Sequence, residues 1–172
     1  KVTFTSGTTG RPKGVCLSQP GLERVSTSLV EAIGSDYAGV HLAVLPLAVL
    51  LENVAGLYTT LIAGGEYRVL PQTSIGFGKS FLPDYAALVD ALAANHANSA
   101  IVVPEILRGV LAVLAARKQK LADMKLVAVG GARVAPTLLA GAAALGLPVY
   151  QGYGLSEAGS VVALNTPRDN AP

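Results

Sequence analysis

Apolar residues recur along this chain in two spacings. From Pro20 to Ile33 they stand at 22, 25, 29 and 33, the spacing of one helix face, and the stripe stops at Gly34. HLAVLPL at 41–47 is apolar without alternation, which predicts a strand buried on both faces. Ala48 to Ala63 is helical in composition and stops at Gly64-Gly65; EYRVLP at 66–71 predicts the next strand, and a loop rich in Gly, Ser and Phe follows. Asp84 is placed to cap a helix whose apolar face is Tyr85, Leu88, Val89 and Leu92, and SAIVVP at 99–104 predicts another buried strand. Leu107, Val110, Leu111 and Leu114 mark a further helix, KLVAVGG a strand, Pro136 to Leu145 a helix with proline in its first turn, PVYQGYG a strand, and SVVALN the last strand.

Strands apolar on both faces that alternate with helices predict an α/β fold, a mostly parallel sheet with helices on both faces. There is no internal repeat. In such sheets ligands lie beyond the carboxyl ends of the strands. Two of the predicted strands run into turns of suitable chemistry there, VAVGGA and VYQGYGLSE.

Composition narrows the function classes. A chain of 172 residues suits one such domain or the greater part of a larger one, yet 51% of it is hydrophobic, only 14% is charged and tryptophan is absent. So apolar a piece is expected to be covered by something else, and the lysine at position 1 adds to the expectation that it is part of a longer polypeptide. A net charge of +2 with no dense basic patch gives no nucleic-acid partner, since RKQK at 117–120 reads as a helix end. The single cysteine, Cys16, has no disulfide partner, and no metal-ligand spacing surrounds it or either histidine, which fits a reducing cytoplasm. The longest apolar stretch, LAVLPLAVLL at 42–51, is too short to span a bilayer and contains a proline, so the sequence carries no transmembrane segment.

The candidate chemistry lies at the start and near the end. TSGTTGRPKG at 5–14 sets Gly7, Gly10 and Gly14 among the short hydroxyl side chains of Ser6, Thr8 and Thr9, with Lys13 as a fixed positive charge after Pro12. Glycines let the backbone approach a ligand, hydroxyls donate, and the lysine neutralises, so a polyphosphate is the natural occupant; a solvated turn is the plainer alternative. No strand is expected ahead of this loop. Gly130 and Gly131 at one strand end and Tyr153 at the next would form a slot for a flat purine ring, Ser156 could bond a phosphate oxygen, and Glu157 is a carboxylate suited to a magnesium ion. Singly, Gly-Gly is more often a turn and tyrosine more often core. It is their combination that points to a nucleotide.

The loop does not follow the GxxxxGK[ST] order, because no Ser or Thr follows Lys13 and the hydroxyls stand in front. TSGTTGRPKGV at 5–15 instead resembles the phosphate-binding signature of the adenylate-forming superfamily, which includes acyl-CoA synthetases, luciferases and the adenylation domains of peptide synthetases. QGYGLSEAGS at 151–160 resembles the second signature of that superfamily, and VGGARV at 129–134 stands where it places its adenine-contacting glycines. LPLAVLLENVAG at 45–56 is similar to the substrate-helix motif of long-chain fatty acyl-CoA synthetases. The resemblance implies part of the large N-terminal domain of an acyl-CoA synthetase-like fold, with residues 1–19 as the ATP phosphate-binding loop and its flank and residues 20–172 as an α/β nucleotide- and acyl-binding subdomain. It implies that Ser6, Gly7, Thr8, Thr9, Gly10 and Lys13 grip the ATP phosphates, that Gly131, Ala132 and Tyr153 hold adenine, and that Ser156 and Glu157 serve phosphate and Mg2+. Catalytic roles then fall to Lys13, Ser156 and Glu157, and the metal to Glu157. ATP and magnesium are the implied cofactors, coenzyme A the co-substrate, and a fatty or other carboxylic acid the substrate, in a cytoplasmic enzyme with room for peripheral contact at the inner membrane face.

Val49 stands where many members carry histidine or an aromatic ring, so a gating role tied to such a ring does not carry over. Neither Cys16, His41 nor His96 is expected to act in catalysis, and Glu52, which could face the substrate channel from its hydrophobic helix, is expected instead to be a partly exposed helical glutamate. The resemblance covers the whole chain but only the middle of a family member. The later ribose-binding aspartate, the arginine after it and the lysine of the C-terminal domain have no counterparts, since Asp169 in PRDN has different surroundings. The isolated segment is therefore expected to be inactive without its flanking subdomains. A ligase for aryl or shorter acids, a noncatalytic nucleotide-binding module and a phosphate-loop hydrolase are the competing readings.

Overall fold

The computed structural model describes residues 1–5, 11–37, 39–78 and 83–170, with the Ser35 side chain left out. Two sheets form. Strands β1 (Val2–Thr5) and β2 (Lys13–Cys16) make an antiparallel pair in which Val2 faces Cys16 and Thr5 faces Lys13. A strand therefore does precede the glycine-rich loop, contrary to the sequence expectation. KVTFT alternates in the strand manner, but over only four residues that lie mostly in solvent, so burial leaves little trace in its composition.

The second sheet has six strands in the order β4-β3-β5-β6-β7-β8: β3 Val40–Leu42, β4 Glu66–Arg68, β5 Ser99–Val102, β6 Leu126–Val129, β7 Val149–Leu155 and β8 Ser160–Leu164. All neighbours are parallel except β8, which runs antiparallel to β7. Only the short turn Ser156–Ala158 links β7 to β8, which leaves no room for a crossover helix, so the last strand folds straight back. The strand expected over 41–47 pairs only as far as Leu42. Ala43 still donates to the Arg68 carbonyl at 3.0 Å and Ala43–Leu45 stay buried, but Pro46 has no N–H to continue a ladder.

Helices cover both faces. On one, α3 (Tyr85–Ala94), α4 (Pro104–Arg117) and α5 (Pro136–Ala144) pack side by side and form the main core with the sheet, where Leu88, Leu107, Leu114 and Val129 are almost wholly buried. Asp84 caps α3 as expected, accepting from the Ala87 N–H at 3.1 Å, a bond worth about 1 kcal/mol. On the other face lie α1 (Gln19–Ile33), capped by Ser18, and the segment Glu52–Ile62. That segment opens as a wide π-helix, Glu52–Tyr58, and tightens into the short α2, Thr59–Ile62. Leu22, Leu50 and Val54 form a small second core between the two. The thinner apolar packing on this face leaves the cavity described next.

Candidate functional site

Side chains in a strand alternate between faces, so residues two apart line one wall. On the face turned to α1 and the π-helix that wall is Ser99 and Ile101 from β5, Leu126 and Ala128 from β5's neighbour β6 with Gly130 just beyond its end, and Gly152 and Gly154 from β7. They border a cavity of about 400 Å³ closed on its other side by Leu29 and Val30 of α1 and by Val49, Leu50, Leu51 and Ala55. Leu126, Ala128 and Gly130 shrink along the strand, so the cavity widens from the amino edge of the sheet towards the carboxyl edge. Leu126 to Gly130 spans roughly 13 Å at about 3.3 Å per residue.

The wide end is where the sequence placed the nucleotide. Gly131 turns the chain there with φ 81°, and Gly131, Tyr153 and Ser156 all border the cavity. Tyr153 is 61% exposed and half-buried Ser156 opens the turn after β7. A register shift at Tyr153/Gly154 bulges β7 against β8, and a Cβ at Gly154 would lie 1.7 Å from the Ser160 carbonyl oxygen, so only glycine fits the QGYG turn. Strand β2, which begins at Lys13, packs against the turn that holds Ser156 and Glu157. The hairpin and the second signature thus meet at one edge. Ala132 is exposed beside Gly131 but does not line the cavity, and the side chains of Glu157 and Lys13 are exposed without a hydrogen bond or ion pair among the described residues. Ser6, Gly7, Thr8, Thr9 and Gly10 lie outside the described residues. Val49, 40% exposed, lines the cavity as an aliphatic side chain.

An exposed carboxylate with no internal partner, at an edge suited to phosphates, fits a magnesium ion whose remaining ligands are phosphate oxygens and water. Among the described residues no cluster of three or more His, Cys, Asp or Glu could hold a metal by itself, so the metal would depend on the nucleotide.

The narrow end holds residues that sequence reasoning missed. Glu52 is fully buried, not partly exposed. Tyr67, His41 and Ser99 stand in one row across β4, β3 and β5, because the strand register pairs His41 with both Tyr67 and Ser99. Glu52 comes down on that row from the π-helix. Its Oε1 lies 3.0 Å from His41 Nε2 and accepts from the Tyr67 hydroxyl at 3.0 Å, while Oε2 accepts from the Leu45 N–H at 3.2 Å. His41 Nδ1 is 2.9 Å from Ser99 Oγ, and the His41 and Tyr67 rings stack 5.4 Å apart at 8°. Burial first, then the Glu52 charge and hydrogen bond, hold the Tyr67 phenol well above the ordinary tyrosine range, so it stays a donor. The approach depends on Gly56, where a Cβ would lie 2.4 Å from Glu52 Oε1 and 3.1 Å from His41 Nε2. One signal was present: a single carboxylate in LPLAVLLENVAG, where Asn53 is the other polar side chain, and a carboxylate is costly inside a core unless paired. Cys16 is exposed and His96 pairs with Asp123 at the surface, so neither joins the site.

The family model described as AMP-binding enzyme matches residues 2–172. The chain is 29% identical over 166 residues to a long-chain-fatty-acid–CoA ligase of Thermus thermophilus, covering 95% of this chain and 29% of that protein. It is 30% identical over 171 residues to a probable 2-succinylbenzoate–CoA ligase of Mycobacterium tuberculosis, covering 98% of this chain and 42% of that one. The fold superposes on o-succinylbenzoate coenzyme A synthetase of Bacillus subtilis, solved in complex with ATP and a magnesium ion, with a TM-score of 0.78 at 23% identity over 97% of this chain and 32% of that chain. The chain thus spans roughly a third of the proteins it matches.

Proposed function

Because the chain belongs to the AMP-binding enzyme family, we propose that the protein carrying it is an ATP-dependent acid–thiol ligase that activates a fatty acid as its acyl adenylate and passes the acyl group to coenzyme A. The observation that carries this reading is the cavity itself: an apolar channel between sheet and π-helix whose wide end opens among Gly131, Tyr153 and Ser156. An acid lying in it with its carboxylate at the wide end would present an oxygen to the α-phosphorus of ATP held at the same edge. That oxygen attacks, pyrophosphate leaves, and the sulfur of coenzyme A then displaces AMP from the acyl carbon.

Neither step needs a protein nucleophile; both need positioning and charge neutralisation. In this reading Lys13 and the residues 6–10 hold the phosphates, Ser156 bonds a phosphate oxygen, and Gly131, Ala132 and Tyr153 hold the adenine. Bound Mg2+, with Glu157 as its protein ligand, would neutralise phosphate charge during the displacement. No helix among the described residues is long and apolar enough to cross a membrane. We place the enzyme in the cytoplasm, with peripheral access to lipid at the inner membrane face.

The aliphatic lining by Val49, Leu50 and Leu51 supports a fatty acid over an aryl one. Each buried methylene is worth about 0.8 kcal/mol, so specificity constants are expected to climb with chain length. Pyrophosphate exchange by the complete enzyme with acids from acetate to palmitate, benzoate included, tests this. Highest values for short or aromatic acids would favour the second reading, an aryl or short-acid ligase, which the similarity to the succinylbenzoate ligase supports. Absence of exchange with every acid would leave a noncatalytic nucleotide-binding module.

A further inference from the structure

The narrow end of the cavity is not apolar. Ser99 and His41 line it, and so does Thr60 of α2, which is 6% exposed and whose hydroxyl makes no hydrogen bond among the described residues. Thr60 follows Gly56 by four residues, about one helical turn, and Gly56 abuts the His41 ring, so the Thr60 side chain belongs to this same inner end. The neighbouring hydroxyl is accounted for differently: Thr59 donates to the Val54 carbonyl at 2.9 Å. Ser99 has one partner, His41 Nδ1, out of the three hydrogen bonds a hydroxyl can make. In the tautomer whose Nε2–H donates to Glu52, His41 Nδ1 accepts from the Ser99 hydroxyl, which leaves the Ser99 lone pairs turned to other donors.

We propose that this inner end reads the far end of the substrate: the acid the enzyme activates carries a hydroxyl or carbonyl group remote from the reacting carboxylate, bonded by Thr60 and by Ser99, with His41 and Glu52 as positioning residues. The proposal rests on the acyl-cavity reading above. The Thr60 hydroxyl has no partner among the described residues, and a purely hydrocarbon chain reaching it would strip it of water without replacing the bond. A terminal hydroxyl offers both a donor for Ser99 and an acceptor for Thr60. Glu52 and Tyr67 hold His41 in plane, so Ser99 keeps one orientation rather than turning away.

The test is direct binding to the intact protein by titration calorimetry, using ω-hydroxy acids of eight to sixteen carbons and the unsubstituted acid of each length, together with pyrophosphate exchange for both series. At the length that spans the cavity the hydroxy acid is expected to bind about three- to tenfold more tightly than its plain counterpart, the range of one neutral hydrogen bond. Thr60→Val and Ser99→Ala should each bring that ratio towards one, with thermal melts showing that the variants fold. Equal or tighter binding of the plain acids at every length overturns the proposal while leaving the ligase reading in place if exchange proceeds. A preference that survives in both variants also overturns it, because the hydroxyls named are then not the readers. Binding of neither series overturns this proposal and the acyl-cavity reading together.

Discussion

At the carboxyl edge of the sheet the side chains of Lys13 and Glu157 stand exposed with no hydrogen bond or ion pair among the described residues, whereas at the amino edge Glu52 is fully buried and its two oxygens accept from three donor groups. Both ends border or adjoin one cavity, and both rely on polar side chains. The difference lies in who supplies the partner. In the proposed ligase, Lys13 and Glu157 meet charge only when a nucleotide arrives, so their loss should leave folding almost untouched. The charge of Glu52 is met by the protein itself, so its loss should be felt first in folding.

Three measurements test that contrast. In the complete enzyme Lys13→Ala or Glu157→Gln is expected to slow pyrophosphate exchange by about a hundred- to a thousandfold, the scale of removing one preorganised electrostatic group, with little change in the thermal midpoint. Unchanged exchange in either variant would remove that residue from the site. Glu52→Ala should do the reverse. Leaving His41, Tyr67 and the Leu45 N–H without their shared acceptor should cost about 3 kcal/mol, or roughly 6–12 °C in the melt. A midpoint within a degree of wild type would mean that the network is not structural.

The smallest effect concerns pH. Tyr67 is held above the ordinary tyrosine range by burial and then by Glu52, and Tyr150 is raised by burial and then by Tyr37. Above about pH 10 the unfolded chain releases these protons while the folded one keeps them, so stability is full below that pH and falls as pH rises beyond it. Urea melts between about pH 9 and pH 11 should show that fall, and Tyr67→Phe should flatten it. An identical slope in the variant would place the titration elsewhere.

The mouth was legible because its signals are local. Gly131, Tyr153, Ser156 and Glu157 sit at predicted strand ends, and the alternation of strands and helices placed those ends on one edge. The inner end was not legible. His41 lies next to no other polar residue in sequence, and its partners Glu52, Tyr67 and Ser99 stand 11, 26 and 58 positions away. Taken alone, His41 and the glutamate in an apolar helix have ordinary explanations, and those are the explanations the sequence favoured.

Periodicity and glycine placement, which act over three to ten residues, determined the helices and most strands from sequence alone, and the two signatures were legible as a resemblance carried by contiguous residues. Three things waited for the tertiary structure. The strand Val2–Thr5 is paired rather than buried, and pairing leaves almost no mark on composition. The last strand is antiparallel because of the brevity of the turn before it, which is a constraint on chain path and not on residue type. The polar row of Tyr67, His41 and Ser99 exists because β4, β3 and β5 come into register, and register between strands distant in sequence is set by how whole layers pack. A π-turn then carries Glu52 onto that row, and only there do four unremarkable residues share one buried hydrogen-bond network.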